Sequence, residues 1–156
     1  EGTTGIQAND LIGRKLARES GVTLKAVIAM MRQTQATLAA ESQWPRIAEA
    51  LGAGIDALER AAMHIVARYG VDVRTVAVGA VPFLKLMGIV SGGWMMARAA
   101  LAAHRHMASG STDSFYPTKI ASAEFFATNV LPAAAGLAQV VVGGGASALA
   151  IPEASL

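Results

Sequence analysis

The chain has 156 residues, of which 53% are hydrophobic and only 15% are charged, and its net charge is +2. This length fits one domain with a sizeable core, and the shortage of charge predicts deep burial or apolar surface for a partner. Basic and acidic residues are interspersed with no basic stripe, which argues against nucleic acid binding. The absence of cysteine excludes disulfides and thiolate chemistry and fits a reducing compartment, so we expect a cytoplasmic protein.

The first five residues read EGTTG, without an initiator methionine. They show neither the basic segment nor the apolar segment of a secretory signal. We therefore expect a piece excised from a longer protein, with no signal peptide.

The first half of the chain predicts three helices. Residues 4–18 have apolar side chains at mixed three- and four-residue steps, and Gly21 ends this leading helix. Thr23 is the expected N-cap of a second helix that runs to about Ala39. A third helix begins near Pro45, because proline suits a first helical turn, and Gly70 stops it.

A long helical segment follows the third helix. Asp72 is expected to cap it, and it runs to about His106. Pro82 should kink or split this segment, because proline removes a backbone donor and clashes with the preceding turn. Residues 110–113, with the sequence GSTD, are the clearest loop.

The last long helix is predicted over residues 114–142, with a kink at Pro132. Three consecutive glycines, residues 143–145, are expected to terminate it. Leu149 and Ile151, in the tail, are expected to pack back against the bundle.

Helical periodicity therefore accounts for the whole chain, and the fold class is all-α. The short connections favour antiparallel neighbours. We predict an up-and-down helical bundle that follows one leading helix.

Two segments match the dinucleotide-binding pattern G-x-G-x-x-A, namely residues 52–57 and 143–148. That pattern binds a pyrophosphate only between a strand and a helix N-terminus. Residues 52–57 lie inside an amphipathic helix, and too little chain follows residue 148 for a binding helix. We favour close helix packing for the first match and a helix stop for the second.

Residues 129–152 contain no charged side chain, which raises the alternative of a membrane helix. The segment is rich in alanine and glycine and contains Pro132 and Gln139, so we favour a buried helix and no membrane span. Gly88, Gly92 and Gly93 are spaced for close helix packing, which we expect inside the bundle.

The histidines, His64, His104 and His106, have no acidic neighbour at ligand spacing, so we predict no metal site. Arg105 and His106 are better placed to neutralise a helix C-terminus. A small basic cluster, formed by Arg14, Lys15 and Arg18, is expected to be a solvated face, with contact to a phosphate as the alternative.

Residues 1–16, EGTTGIQANDLIGRKL, resemble the acyl-CoA dehydrogenase segment YEGT-x-x-IQ, which opens the last helix of the dehydrogenase core. Later stretches are similar to the extra helical domain of longer family members. They are FLKLMG at residues 83–88, GGWMMARAAL at 92–101, KIASAEFFA at 119–127 and VLP at 130–132.

The resemblance implies FAD-dependent α,β-dehydrogenation of acyl-CoA thioesters in the parent enzyme, with electrons passed to an electron-transfer flavoprotein. Glu1 matches the base that removes the α-proton, and its backbone N–H matches a donor to the thioester carbonyl. Thr3 matches a position that contacts FAD, whereas Gly5 replaces a glutamine or glutamate of some members. The isolated chain should be inactive, because most of the flavin and acyl-CoA site lies upstream.

The resemblance also implies a division of the chain. Residues 1–21 are assigned to the end of the dehydrogenase core and residues 22–156 to an additional helical-bundle domain. We expect the bundle to have a structural or interface role in a homo-oligomer, because its second half is the more apolar one. The alternative is a non-enzymatic helical interaction module, and a membrane-associated bundle is a third reading.

Overall fold

The computed structural model describes residues 3–41 and 43–152, and within these ranges every regular element is helical. The helices are α1 (Thr3–Asp10), α2 (Val22–Ala40), α3 (Pro45–Arg68), α4 (Val73–Val78), α5 (Ala80–Ala108), α6 (Phe115–Asn129) and α7 (Ala133–Leu149). A π-helical segment, Leu11–Ala17, continues α1 without a break. The prediction of an all-α fold is confirmed.

The π-helical segment lets the leading helix end in a wide turn. Its backbone bonds span five residues, with Arg18 N–H donating to Gly13 O at 3.0 Å and Gly21 N–H to Leu16 O at 2.9 Å. Gly21 then adopts a φ of 75°, a left-handed conformation that glycine reaches without a steric penalty. The leading helical segment therefore ends in the turn that Gly21 completes, as predicted.

The predicted N-cap at Thr23 is wrong. Gly21 is the residue that precedes the first turn of α2, and no side chain caps that helix. Thr23 lies within the first turn, and its hydroxyl donates to the carboxylate of Glu19 instead. The prediction failed because the left-handed turn at Gly21 allows the helix to start one residue after it.

The start of α3 and the cap of α4 follow the sequence closely. Pro45 occupies the first turn of α3. Asp72 accepts a hydrogen bond from the backbone N–H of Thr75 at 3.2 Å and another from its hydroxyl at 2.5 Å. The bond from the backbone N–H is the N-capping bond, because the first amides of a helix have no intrahelical acceptor, and the bond from the hydroxyl holds the Asp72 carboxylate in place.

The two predicted breaks also occur. The segment after Asp72 splits at Gly79 into α4 and α5, which places Pro82 in the first turn of α5. The last segment breaks at residues 130–132 into α6 and α7, directly before Ala133. In both places proline lies in or next to a first turn, where its missing donor costs least.

The glycine triplet does not end the last helix, which continues through residues 143–145 to Leu149. The reason is tertiary, because Gly145 is buried against α4. A Cβ at Gly145 would lie 2.6 Å from the carbonyl oxygen of Thr75, so only glycine permits this approach. Leu149 and Ile151 are 41% and 54% exposed, so the expectation that they pack back is wrong.

Ring contacts and glycine contacts fix the direction of the helices. The rod α4–α5 runs antiparallel to the rod α6–α7 along its whole length, as four pairs show from one end to the other: His106 with Tyr116, Gly92 with Phe126, Gly79 with Val141, and Thr75 with Gly145. α3 is also antiparallel to α5, because Trp44 contacts His104 and Gly54 faces Val90. The up-and-down arrangement is therefore observed.

One hydrophobic core joins all of these helices. Most of its largest fully buried side chains come from α3 and α5, with Met31 and Leu38 from α2 and Val76 from α4. The leading helix α1 and its π-helical continuation contribute Ala8, Ile12 and Leu16. The leading helix thus shares the core of the bundle. The division into residues 1–21 and 22–156 stays a prediction.

Candidate functional site

The residues that carry the family resemblance begin at the first described turn. Glu1, the predicted catalytic base, lies outside the described residues. Thr3, the predicted FAD contact, is the first residue of α1, and its side chain is exposed. Thr3 does not line the groove between α2 and α3 or the grooves on either side of α5. Both assignments stay predictions.

One carboxylate contacts two of the three cations in the basic cluster that follows α1. Arg14 donates to both oxygens of Asp10, with Nε–Oδ1 at 2.5 Å and Nη2–Oδ2 at 3.0 Å. Lys15 Nζ lies 3.4 Å from the same carboxylate. The hydrogen bond from Arg14 lowers the pKa of Asp10, and the reciprocal bond raises the pKa of Arg14. This pairing favours the solvated-face interpretation of the cluster.

The two glycine patterns lie inside helices and cannot bind a dinucleotide. Gly52 and Gly54 are in α3, where a Cβ at Gly54 would lie 3.1 Å from Leu131 and 3.5 Å from Val90. The second pattern is in α7, where Gly145 meets α4. Neither follows a strand, so close helix packing is the use of both.

Two of the three closely spaced glycines of α5 also allow close packing between helices. A Cβ at Gly93 would lie 2.8 Å from Leu131, and one at Gly92 would lie 3.0 Å from Phe126. Gly88 has no neighbour within 4 Å of its Cβ position. Close packing against the rod α6–α7 is therefore observed at Gly92 and Gly93 and is absent at Gly88.

Two of the histidines, His104 and His106, take part in aromatic contacts. The ring of His104 meets the edge of Trp44 at 4.9 Å, and His106 stacks on Tyr116 at 4.8 Å. Arg105 and His106 lie in the last turn of α5, where positive charge is favourable. Within residues 3–41 and 43–152, no group of three possible metal ligands comes together.

Polar contacts between helices hold α2 in place. Arg32 on α2 pairs with Asp56 and lies 3.3 Å from the carboxylate of Glu59, both on α3. Partial burial alone would lower the pKa of Arg32, but these hydrogen bonds outweigh it and raise the pKa. On the other side, the indole N–H of Trp94 donates to the hydroxyl of Thr34 at 2.8 Å and joins α5 to α2.

A groove of about 250 Å³ lies between α2 and α3. Its walls are mainly apolar, with Leu24, Ile28, Met63 and Val66, and its only charged lining residues are Lys25 and Glu59. Glu59 accepts a hydrogen bond from Arg32 and is therefore an ion-pair partner of α2. Sequence periodicity places these residues on helix faces, but it does not reveal that the faces stay uncovered.

Two helical stretches in the described part of the chain have the length and composition of a membrane span. They are Ala80–Ala108 and Phe115–Leu149. The first is α5, which contributes Phe83, Leu86 and Val90 to the core. Because the core helix of a bundle meets the same two criteria, length and composition alone do not define a span here.

Comparison with known proteins agrees with this architecture. Residues 27–152 match the family described as acetyl-CoA dehydrogenase C-terminal like. The chain is 40% identical over 136 residues to 3-methylmercaptopropionyl-CoA dehydrogenase of Ruegeria pomeroyi, covering 84% of this chain and 22% of that protein. It is 32% identical over 151 residues to the broad-specificity linear acyl-CoA dehydrogenase FadE5 of Mycobacterium tuberculosis, covering 90% of this chain and 24% of that protein.

The helical bundle and the family match over residues 27–152 together define the class of protein to which the chain belongs. The chain belongs to the acyl-CoA dehydrogenase C-terminal family. It spans about a quarter of the length of the curated relatives it matches. The resemblance seen in the sequence is confirmed, and the relatives support an enzyme lineage over a helical module without enzymatic ancestry.

Proposed function

We propose that this chain is the C-terminal part of an FAD-dependent acyl-CoA dehydrogenase. The observation that carries the proposal is the family match over residues 27–152, together with two relatives that are named as dehydrogenases of acyl-CoA thioesters. The names of the relatives specify one sulfur-containing acyl group and one series of linear acyl groups. An acyl-CoA thioester is therefore the substrate class, and an electron-transfer flavoprotein is the proposed electron acceptor.

The reaction removes two hydrogens from neighbouring carbons of the acyl group. In our proposal the carboxylate of Glu1 takes the α-proton, and the backbone N–H of Glu1 stabilises the charge that develops on the thioester oxygen. FAD, when bound, accepts the β-hydrogen as a hydride. A base of this kind needs a dry pocket to raise its pKa, which the rest of the enzyme would supply.

The side chain of Thr3 is compatible with a contact to the cofactor. Its hydroxyl is exposed in the first turn of α1, so a group from outside the described chain can reach it. The exposed fraction of Ile6, one turn further, is 67%, which shows that the same face is uncovered. Among residues 3–41 and 43–152 no walls enclose Thr3, and we expect the isolated chain to bind no flavin and to be inactive.

The bundle has a structural or interface role in this proposal. Its last helix, α7, exposes Val140, Val142 and Leu149, and residues 129–152 carry no charge. An uncharged apolar face on a water-soluble bundle is typical of a contact with another subunit. We expect the enzyme to be a homo-oligomer in which this face is covered.

The first experiment is a visible absorption spectrum of the longer protein, before and after addition of a panel of acyl-CoA thioesters. The panel contains linear chains and a methylthio-substituted chain. We expect a flavin spectrum that bleaches with at least one thioester. A colourless protein that cannot be loaded with FAD would contradict the dehydrogenase proposal.

A pair of variants separates the roles of the two site residues. Glu1→Gln should retain the flavin spectrum but lose bleaching by about a thousandfold or more in rate, because the base is missing. Thr3→Val should weaken flavin retention and leave the identity of the bleaching substrate unchanged. Normal bleaching rates in Glu1→Gln would remove Glu1 from the role of base.

The interface role has its own test. Light scattering should show an oligomer for the longer protein. If both this chain and the longer protein were strict monomers, the interface proposal would be contradicted and the dehydrogenase proposal would be unaffected.

A further inference from the structure

A second unpartnered surface lies on the C-terminal half of α5. Two grooves of about 530 and 560 Å³ flank the exposed face of this helix, one towards α2 and the other towards α6. They share Met95, Ala99 and Ala102, so they adjoin and form one trough, with α5 as its floor. We call this surface the α5 trough.

The floor of the α5 trough is apolar and adaptable. Met95 is 43% exposed and Met96 lies beside it, while the alanines leave room above the helix. On the α6 side Phe115 is 57% exposed, a large fraction for an aromatic side chain. Methionine side chains adjust to different partners, and contiguous exposed apolar surface marks interaction sites.

The rim of the α5 trough is basic. Arg98, Arg105 and Lys119 line it, and no acidic residue lines either groove. Among the described residues, none of these three cations has a carboxylate within 4.0 Å. This differs from Arg14 and Arg32, which are both paired with carboxylates of the chain itself.

Two of the rim cations are held in position by aromatic rings. The guanidinium of Arg98 lies 5.3 Å from the ring centre of Trp94, and Nζ of Lys119 lies 5.1 Å from that of Phe115. Trp94 is itself fixed by its hydrogen bond to Thr34. Such cation–π contacts orient a charge without neutralising it, so both cations remain available to an anionic partner.

We propose that the α5 trough docks an acidic amphipathic helix of a partner protein. From Met95 to His106 the floor rises by about 16 Å, at 1.5 Å per residue, which matches about three turns of a helix. The apolar face of such a helix would cover the methionines and alanines, and its carboxylates would meet the three rim cations. Helix-in-groove docking combines these two features.

Two other kinds of ligand fit less well. A small molecule is normally enclosed on most sides by its pocket, whereas both grooves are open along the helix. A membrane surface meets protruding apolar side chains, whereas the alanine floor here is recessed between α2 and α6. The α2 wall is also polar, with Gln33, Thr34 and Thr37. The proposal goes beyond the dehydrogenase activity and does not depend on it.

The test uses a synthetic helix of about 14 residues, with leucine on one face and glutamate elsewhere, labelled with fluorescein. Its anisotropy is titrated with the longer protein at low and high salt. We expect saturable binding that weakens with salt, and no binding of a twin peptide that carries lysine in place of glutamate. Equal binding of the two peptides would overturn the proposal.

Charge reversal locates the site. The double variant Arg105→Glu with Lys119→Glu should weaken binding of the acidic peptide by about tenfold or more, because attraction becomes repulsion. The matched control is Lys85→Glu with Arg60→Glu, which reverses two exposed cations outside both grooves and should bind as tightly as the parent. An equal loss in the control would show a non-specific charge effect and would overturn the assignment to the trough.

Two further experiments test alternative occupants of the α5 trough. The chain has no cysteine, so Met95→Cys adds one labelling position, whose reactivity mass spectrometry can read in the longer protein. Rapid labelling is expected, and full protection would show that the longer protein covers its own trough. The protein could instead bind phosphatidylserine vesicles and not the acidic peptide, with the vesicle binding lost in the charge-reversal variant. That result would identify a membrane surface, and not a helix, as the occupant of the trough. None of these outcomes bears on the dehydrogenase proposal, which flavin bleaching tests separately.

Discussion

The helices α3 and α7 are both apolar, but they use their apolar residues differently. α3 buries a continuous stripe and keeps its charged residues on the opposite face, as its buried members show: Ile47, Leu51, Ile55, Leu58 and Ile65. α7 has no charged residue, and only Ala134, Ala138, Val141 and Gly145 of its 17 residues are buried. Its outer face is therefore as uncharged as its inner face.

The difference shows that hydropathy and burial are separate properties of a helix. In α3 the apolar stripe coincides with the surface that α2, α5 and α7 cover, so the bundle itself explains the pattern. In α7 the apolar residues extend from the buried face onto the exposed face. Packing within the bundle explains only the buried face. The subunit contact proposed above would account for the exposed face.

The largest effect should come from α3. Leu58→Ala removes a fully buried side chain and should lower the free energy of unfolding by about 2–5 kcal/mol. Val142→Ala, on the exposed face of α7, should change it by less than about 0.5 kcal/mol. Denaturant unfolding of the two variants, followed by helical circular dichroism, measures both. Similar losses would show that the outer face of α7 is not a free surface in the chain.

The next effect separates two neighbouring glycines of α7. Gly145→Ala should cost about 1–3 kcal/mol, because the new methyl group meets the backbone of Thr75. Gly143→Ala should stabilise the chain by about 0.5–1 kcal/mol, because its Cβ position is open and alanine favours the helix. If Gly145→Ala were as well tolerated as Gly143→Ala, the close packing of α4 on α7 would be wrong.

The cap of α4 should have a smaller effect that depends on pH. The hydrogen bonds from Thr75 lower the pKa of Asp72, so the folded state binds a proton more weakly than the unfolded state. This stabilisation is present above the unfolded pKa and is lost as the pH falls below about 4. Asp72→Ala should lower the Tm by a few degrees at neutral pH and by less in acid.

Asp72→Ser is the matched control for the cap. Serine can accept the same backbone hydrogen bond without a charge. Asp72→Ser should therefore recover most of the Tm that Asp72→Ala loses, but its Tm should not show the acid dependence that Asp72 contributes. Thermal unfolding at several pH values measures both variants. An unchanged acid dependence in Asp72→Ser would assign that dependence to another group.

The smallest effect on stability is expected on the outer face of α7. Val140 is 46% exposed, so Val140→Glu should change the free energy of unfolding by no more than about 0.5 kcal/mol. In the longer protein it should nevertheless reduce association, because it places a charge in an apolar contact. Met63→Glu, on the exposed part of α3, is the control. Light scattering that shows equal association for both variants would remove α7 from the interface.

Much of the local structure could be predicted from the sequence because its causes are local. Pro45 starts α3, Asp72 caps α4, and the breaks near Pro82 and Pro132 follow from the missing donor of proline. The family resemblance was also readable in the sequence, because residues 1–16 and the later segments preserve it. The roles of Glu1 and Thr3 rest on that resemblance.

The sequence by itself determined that the protein is a set of helices with turns at Gly21, Gly70 and residues 110–113, because periodicity, proline and glycine act over a few residues. Only the tertiary structure decided that glycines 143–145 continue a helix, since that depends on α4 lying against Gly145. It also decided which apolar faces stay open. Burial is a property of neighbours distant in sequence, and the α5 trough forms only where α2, α5 and α6 meet.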